Sequence, residues 1–375
     1  MKLMQNKLFF SGLNELRAFA ALAVVFHHIE LYKKRLGINS LYNISILNGF
    51  IDNLGKNGVY LFFVLSGFLI TYLLLEEKSV TGKISVSKFY GRRILRIWPL
   101  YFIILLIGFF LLPLVYNSFS HFFEDQTFYN ERIRNLVYGE NLVLFLFFLS
   151  NVALKLYGSV AGASQSWSVS VEEQFYFIWP WIVKFFFSSL WIVLVIIIIV
   201  MTAINYNINS FASFPYLHSF LSSFNIDFMA IGGVVAIFYR TYKSIVQKII
   251  VNKGLIILII FSIILHLFFD ISHITLGLSF GLLILLCVEN KIEIKLFSIV
   301  GKWSYGIYMY HPLVMYFSFS VVDQMHITSL IEKNLAYYIL IVGITFLLSH
   351  LSYKYVELYF LKLKYKVSPI VSGNL

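Results

Sequence analysis

An arginine and a pair of histidines stand in an otherwise apolar stretch, Leu13 to Glu30. On an α-helix, the eleven steps from Arg17 to His28 bring the two within roughly 20° of each other and about 16 Å apart along the axis. Asn14 joins that face, whereas His27 is turned roughly 80° away from it. Ionisable side chains in a lipid-embedded helix are costly and ordinarily face a bundle interior or a water-filled cavity, so they mark a functional site. Arg17 equally suits an interfacial anchor and the histidines satisfied core groups; the stretch alone does not choose.

Other stretches carry polar groups that can act together. In Phe89 to Pro99, Arg93 and Arg96 are three apart on one helix face, and guanidinium forks suit phosphate-bearing anions. Positive residues at a cytoplasmic helix end are also what topology demands, and the two roles are compatible. Ser164 to Tyr176 leads into a span with Glu172 and Glu173. Ser170 with Glu173 fits a capping box. Glu172 has less structural explanation, and beside an embedded histidine it would orient the ring and raise its basicity, the arrangement of a general-base pair. Ser66 and Gly67 sit mid-span, where small residues permit close helix packing; a cofactor or acyl-chain channel is the other reading. Gly301 to Pro312 contributes Ser304, Tyr305 and His311, the histidine preceding a proline that suits a kink as readily as catalysis. No zinc-helix motif, P-loop, nucleophile elbow or dinucleotide fingerprint occurs, and no metal site is expected.

These groups must be positioned by helices in a bilayer. The chain is 59% hydrophobic and 19% aromatic with 13% charged residues, the composition of a polytopic membrane protein. Cys287 is the single cysteine, which excludes a disulfide framework. The net charge of +11 is explained by lysines and arginines flanking spans, so nucleic acid is not an expected partner. Apolar stretches of about 20 residues occur near 13–31, 57–76, 93–115, 171–187, 190–206, 222–239, 253–269, 273–289, 300–320 and 335–356. The expected fold is therefore all-α, a polytopic integral membrane bundle of about ten transmembrane helices. The short apolar segment 141–153 decides the topology. If it is re-entrant, four basic segments (Lys78 to Arg96, Arg240 to Lys253, Lys291 to Lys302 and Lys362 to Lys366) share the cytoplasmic side with both termini; Lys33, Lys34 and Arg35 fall outside. No repeat or cleavable leader is evident, and one domain is expected over 1–375, with a core at 8–360 and a short basic tail at 361–375.

Taken in order, Leu13 to His28, Gly58 to Ile70, Phe89 to Tyr101, Trp167 to Pro180, Ser304 to Pro312 and Tyr355 to Glu357 resemble membrane acyltransferase family 3, the OafA/YrhL-like bacterial envelope O-acyltransferases. The resemblance covers almost the whole chain. It implies that Arg17 and His28 are essential, that Arg93 and Arg96 are the family's paired arginines, and that Glu172 is its glutamate. It further implies transfer of an acyl group, commonly acetyl, from cytoplasmic acyl-coenzyme A to a hydroxyl of an envelope glycan, in the bacterial cytoplasmic membrane. Acyl-coenzyme A would be a donor substrate, and no permanently bound cofactor is expected.

The chain departs from the family in having Asn14-Glu15 where Asp-Gly is common. That moves the negative charge to Glu15, roughly opposite Arg17 on the helix, and leaves open how Arg17 is neutralised. Some family members carry a fused extracytoplasmic hydrolase-like domain that this sequence lacks, so it is expected to act alone or with a separate extracytoplasmic transferase. On this reading His28 and Glu172 are catalytic, while Arg17, Arg93, Arg96, Ser304, Tyr305 and His311 bind substrate. His28 either deprotonates the acceptor or takes the acyl group first. The rivals are a transporter or flippase, and a carrier of acyl groups across the membrane to another enzyme.

Overall fold

The ten apolar stretches are each mostly helical, though 222–239 and 300–320 run across short breaks between two helices, and the helices are not equally apolar. The structure, a computed structural model, describes residues 6–8, 10–119, 139–269, 271–367 and 370–372, with side chains over 10–119, 139–269 and 271–363. The polar connector expected at 116–140 lies mostly outside the described residues, as do Lys2 and the side chains of the tail from 364 onward. By length and composition, five helices qualify to cross a membrane, or six if the bent pair Lys243–Ile250 and Lys253–Phe268 is one span. This falls short of the ten expected, for an identifiable reason. Helices α1 (Leu13–Arg35), α4 (Ser166–Phe185) and α6 (Ser304–Gln324) have 23, 20 and 21 residues, long enough to span, but they carry the candidate site and are correspondingly polar. His273–Glu289 is apolar but shorter, at 17 residues.

Helix α2 (Ser45–Thr81) forms the centre: 78% of its most apolar window is buried, against 17% for the peripheral helix Phe187–Tyr206. Its small residues make that possible. A Cβ on Gly67 would sit 2.0 Å from the Met229 carbonyl oxygen of α5 (Ile226–Thr241), and one on Gly232 of α5 would sit 2.2 Å from Val64 O. Gly58 likewise lets α2 approach α1, where a Cβ would sit 2.8 Å from the Ala20 carbonyl oxygen. Gly67 therefore serves packing, whereas Ser66, one residue earlier, faces a cavity.

The segment 141–153 does not cross. It forms two helices, Gly139–Leu146 and Ser150–Tyr157, joined by a turn in which Phe148 has φ 56°. Tyr157 donates its hydroxyl to Glu140, so the two ends meet, while the Phe145 carbonyl near the tip accepts from Tyr101 Oη at 2.7 Å in the middle of α3 (Val86–Leu106). This is a re-entrant hairpin, its strained turn held by Gln174 Nε2 on Phe148 O at 2.8 Å. Helix α3 continues through a π-turn at Ile107–Leu111 into Leu112–Ser118. Helix α7 (Leu330–Ser352) does likewise through Tyr353–Glu357 into Leu358–Val367.

The all-α expectation has one small exception, since β1 (Asn6–Leu8) and β2 (Ile370–Ser372) pair in parallel and join the two ends of the chain. That end of the bundle also holds the start of α1, where Gly12 meets Cys287 and Gly301 meets the Asn14 carbonyl. Arg240 bridges Glu76 there at 3.5 Å, and Lys78 lies 3.9 Å from the Phe187 ring centroid. The opposite end holds the end of α1 and the start of α7, joined by Tyr338 Oη on Glu30 at 2.6 Å. This arrangement makes a topological prediction. On a Cys287→Ala background, Ile245→Cys and Glu293→Cys should react with a membrane-impermeant thiol reagent from one side, and Asn39→Cys and Asn209→Cys from the other. Labelling of all four from one side would exclude the arrangement.

Candidate functional site

Helical phase alone puts Arg17 and His28 on the inner face of α1, and the fold gives each its own cavity. Arg17, Arg93, Arg96, Glu172, Ser304 and Tyr305 all line one central cavity of about 90 Å³, with Ser66, Ser168, Tyr176 and Tyr308. His28 lines a neighbouring cavity of about 150 Å³, with Arg35, Gln165 and Trp167. The two linings meet where Phe63 of the central cavity packs edge-to-face on Trp167 of the second at 6.4 Å.

In the central cavity, Glu172 is the carboxyl that shares the lining with Arg17, Arg93 and Arg96. Arg17 also donates to Asn14 Oδ1 at 3.3 Å, while Glu15 points elsewhere and accepts from the Ile294 amide at 3.3 Å. Glu172 is held by Ser66 Oγ at 2.9 Å and Tyr176 Oη at 2.7 Å. Ser168, Glu172 and Tyr176 are spaced i, i+4, i+8 on α4, so one helix face supplies all three. Arg93 is 5% exposed, its guanidinium 5.5 Å from the Tyr176 ring and 5.8 Å from that of Phe89, and its Nε has no hydrogen-bond partner among the described residues. Arg92, by contrast, is tied to Glu77 at 2.8 Å and belongs to the scaffold. Three guanidiniums facing one carboxylate leave the cavity with a surplus of positive charge, the setting for a phosphate or carboxylate ligand. Glu357, from the π-turn after α7, brings a second carboxyl to the neighbourhood of Arg96. Tyr305 is a strut, donating to the Ile97 carbonyl at 2.9 Å, and Ser304 is buried at the cavity edge.

The expected pairing of Glu172 with His28 does not form, because Glu172 is engaged in the arginine cavity. The partner of His28 is His311: His28 Nδ1 lies 3.3 Å from His311 Nε2 and 2.9 Å from the Val24 carbonyl. His311 Nδ1 is 3.2 Å from the Ile307 carbonyl. A carbonyl only accepts, so the network assigns the proton of each ring to Nδ1. His28 Nδ1–H is then shared between Val24 O and the unprotonated His311 Nε2, which leaves His28 Nε2 with a free lone pair on a side chain that lines the cavity. His311 lines neither cavity. It is fully buried behind His28, and α6 runs on through Pro312 without ending. His27 faces α2, with its Nδ1 2.9 Å from Ile51 O and its ring against Gly55.

The capping box also fails to form. Helix α4 begins at Ser166, so Ser170 is interior and bonds Ser150 Oγ at 2.6 Å, while Glu173 accepts from Trp98 Nε1 at 3.0 Å. Ser66, Ser168, Tyr176, Tyr308, Arg35, Gln165 and Trp167 are among the cavity residues the sequence reading did not single out as site residues. Some carried a local signal, as Ser168 and Tyr176 do in their spacing of four residues from Glu172. Among the described residues no cluster of His, Cys, Asp or Glu could hold a metal ion.

The sequence family described as "Acyltransferase domain" matches residues 10–354. The chain is similar to the O-acetyltransferase OatA of Staphylococcus aureus (strain NCTC 8325 / PS 47), at 25% identity covering 94% of this chain and 57% of that protein. It is also similar to the peptidoglycan O-acetyltransferase OatA of Listeria monocytogenes serovar 1/2a, at 23% identity covering 92% and 55%. The chain thus spans a little over half the length of these relatives. No solved structure matches it.

Proposed function

The chain belongs to the family of this acyltransferase domain and is a bacterial membrane protein, and on that premise we propose that it is an O-acyltransferase carrying an acyl group from acyl-coenzyme A in the arginine cavity to a glycan hydroxyl beside His28. The observation that carries this reading is that His28, its Nδ1 turned to the Val24 carbonyl, lines a cavity adjoining the one lined by Arg17, Arg93 and Arg96. At about 10–15 Å³ per water-sized group, a cavity of about 90 Å³ admits a thioester and its acyl group but not a nucleotide. The nucleotide would therefore lie toward the end of the bundle where Arg93 enters. That end also gathers Lys78, Arg240, Lys243, Lys295 and Lys302, which by the positive-inside rule supports a cytoplasmic position for it, with the acceptor cavity toward the other face. Ten passes, with the 141–153 hairpin returning to its own side, fit this orientation.

The chemistry balances with the chain's own groups. His28 Nε2 takes the proton of the acceptor hydroxyl as its oxygen attacks the thioester carbonyl. The tetrahedral adduct then breaks its C–S bond, and the thiolate leaves with the proton from His28 Nε2–H, giving ester and free coenzyme A. The same lone pair is also positioned to take the acyl group first. The acyl group is proposed to be acetyl and the glycan a peptidoglycan-type polymer, following the names of the relatives.

The test is transfer of labelled acyl groups from acyl-coenzyme A to candidate glycans by the purified protein. Within it, Arg93→Lys with Arg96→Lys retains the charge that sets topology but loses the planar fork. The apparent donor constant should rise about ten- to hundredfold with insertion unchanged. An unaltered donor dependence would leave these arginines as topology signals. Loss of donor with no glycan product, in wild type, would favour the carrier reading.

A further inference from the structure

We propose that Arg35 selects an acidic acceptor: its guanidinium binds a carboxylate or phosphate group on the glycan whose hydroxyl is acylated at His28. The role of His28 rests on the acyl-transfer reading; the placement of Arg35 does not. Arg35 stands in the last turn of α1 and is exposed, and it lines the same cavity of about 150 Å³ as His28. The two are seven residues apart on one helix, so they share a face within roughly 20° and lie about 10.5 Å apart along the axis. Tyr32, another lining residue, stands between them: its ring centroid is 6.4 Å from that of His28 and 5.9 Å from the Arg35 guanidinium carbon. Those two distances laid end to end hold the guanidinium within about 12 Å of the imidazole.

Lys33, Lys34 and Arg35 close α1 at the end of the bundle opposite Lys78 and Arg240, where the positive-inside rule gives no reason for them. The helix dipole favours basic residues in a last turn but does not place them on a cavity wall. Lys33 is buried against Glu30 at 2.6 Å and Lys34 lies 4.4 Å from the Tyr42 ring centroid, and neither lines the cavity. Arg35 does. Its planar fork takes a carboxylate or phosphate in two parallel hydrogen bonds, a geometry that a lysine lacks. An acidic group held there and a hydroxyl at His28 lie within the span of one disaccharide unit, so the acceptor is an acidic glycan rather than a neutral one.

The test uses the full-length protein in detergent with three disaccharides of N-acetylhexosamine: one whose second sugar is a hexuronic acid, its neutral uronamide, and one whose second sugar carries a phosphate monoester. Equilibrium binding and acyl transfer are both measured, for wild type, Arg35→Gln and Arg35→Lys. Wild type should bind at least one acidic sugar about tenfold or more tightly than the uronamide, with the preference shrinking as salt is raised. Which acid it favours tells a carboxylate ligand from a phosphate. Arg35→Gln should bind acidic and neutral sugars alike, and Arg35→Lys should keep only part of the preference, with donor KM unchanged in both. A loss of helix-end stability weakens every sugar equally, so the ratio of acid to amide isolates the contact. If wild type does not discriminate, or Arg35→Gln discriminates as wild type does, Arg35 serves only the helix end and the proposal fails. Since binding is read without turnover, a wild type that prefers the acid but transfers no acyl group would overturn the acyl-transfer reading while leaving the assignment of Arg35 standing.

Discussion

His28→Ala should lose acyl transfer by about two to four orders of magnitude, the range of a positioned general base, while folding and inserting as the parent does. A nucleophilic His28 predicts at least as large a loss, and mass analysis for an acylated histidine separates the two cases. The structure makes the prediction sharper by distinguishing three neighbouring histidines. His311 touches no cavity, so it acts only by holding the His28 ring. His311→Ala should therefore lower kcat, with little change in either KM, and shift the pH profile as His28 loses its partner. His311→Gln, which retains a hydrogen-bonding atom near that position, should recover part of the rate. His27→Phe should turn over near the parental rate, because His27 meets the Ile51 carbonyl and Gly55 rather than the cavity. Equal losses in the His27 and His28 variants at matched expression would sink the assignment.

Glu172→Gln should be the most damaging change to stability in the central cavity. Glu172 is the carboxyl that lines the cavity with Arg17, Arg93 and Arg96, and if it balances their charge, replacing it with an amide of the same shape leaves three guanidiniums facing one another in low dielectric. Breaking a buried ionic group from one side costs about 3 kcal/mol or more. Buried Cys287 is the only thiol in the chain, so a thiol-reactive dye reports unfolding directly. The thermal midpoint should fall in Glu172→Gln and recover in the double variant with Arg17→Met, which restores the charge balance. Neither should transfer acyl groups well, since one lacks the counter-charge and the other lacks an anion ligand. An unchanged midpoint in Glu172→Gln would mean that the arginines are neutralised elsewhere, with Glu357 the first candidate.

Much of this was already written in local spacing. The eleven-residue separation of Arg17 and His28 places both on the inner face of α1, because helical phase accumulates residue by residue and needs no partner. The i, i+4 spacing of Glu172 and Tyr176 is likewise local, and so is the apolarity that makes each expected span mostly helical. What only tertiary structure decided is which groups meet. His28 and His311 are 283 residues apart in sequence, so no periodicity could reveal that a second histidine, rather than Glu172, stands behind the first. Among Arg92, Arg93 and Arg96, adjacent in sequence, only packing reveals that Arg92 is bound to Glu77 while the other two face the cavity. The hairpin at 141–153 follows the same logic: its sequence is apolar enough to enter the bilayer, but whether it crosses or turns back depends on the Tyr101 and Gln174 side chains waiting at its tip. Phase along one helix is a property of the chain. The pairing of two helices is settled by close contacts such as those at Gly58 and Gly67, and those contacts exist only once distant segments have come together.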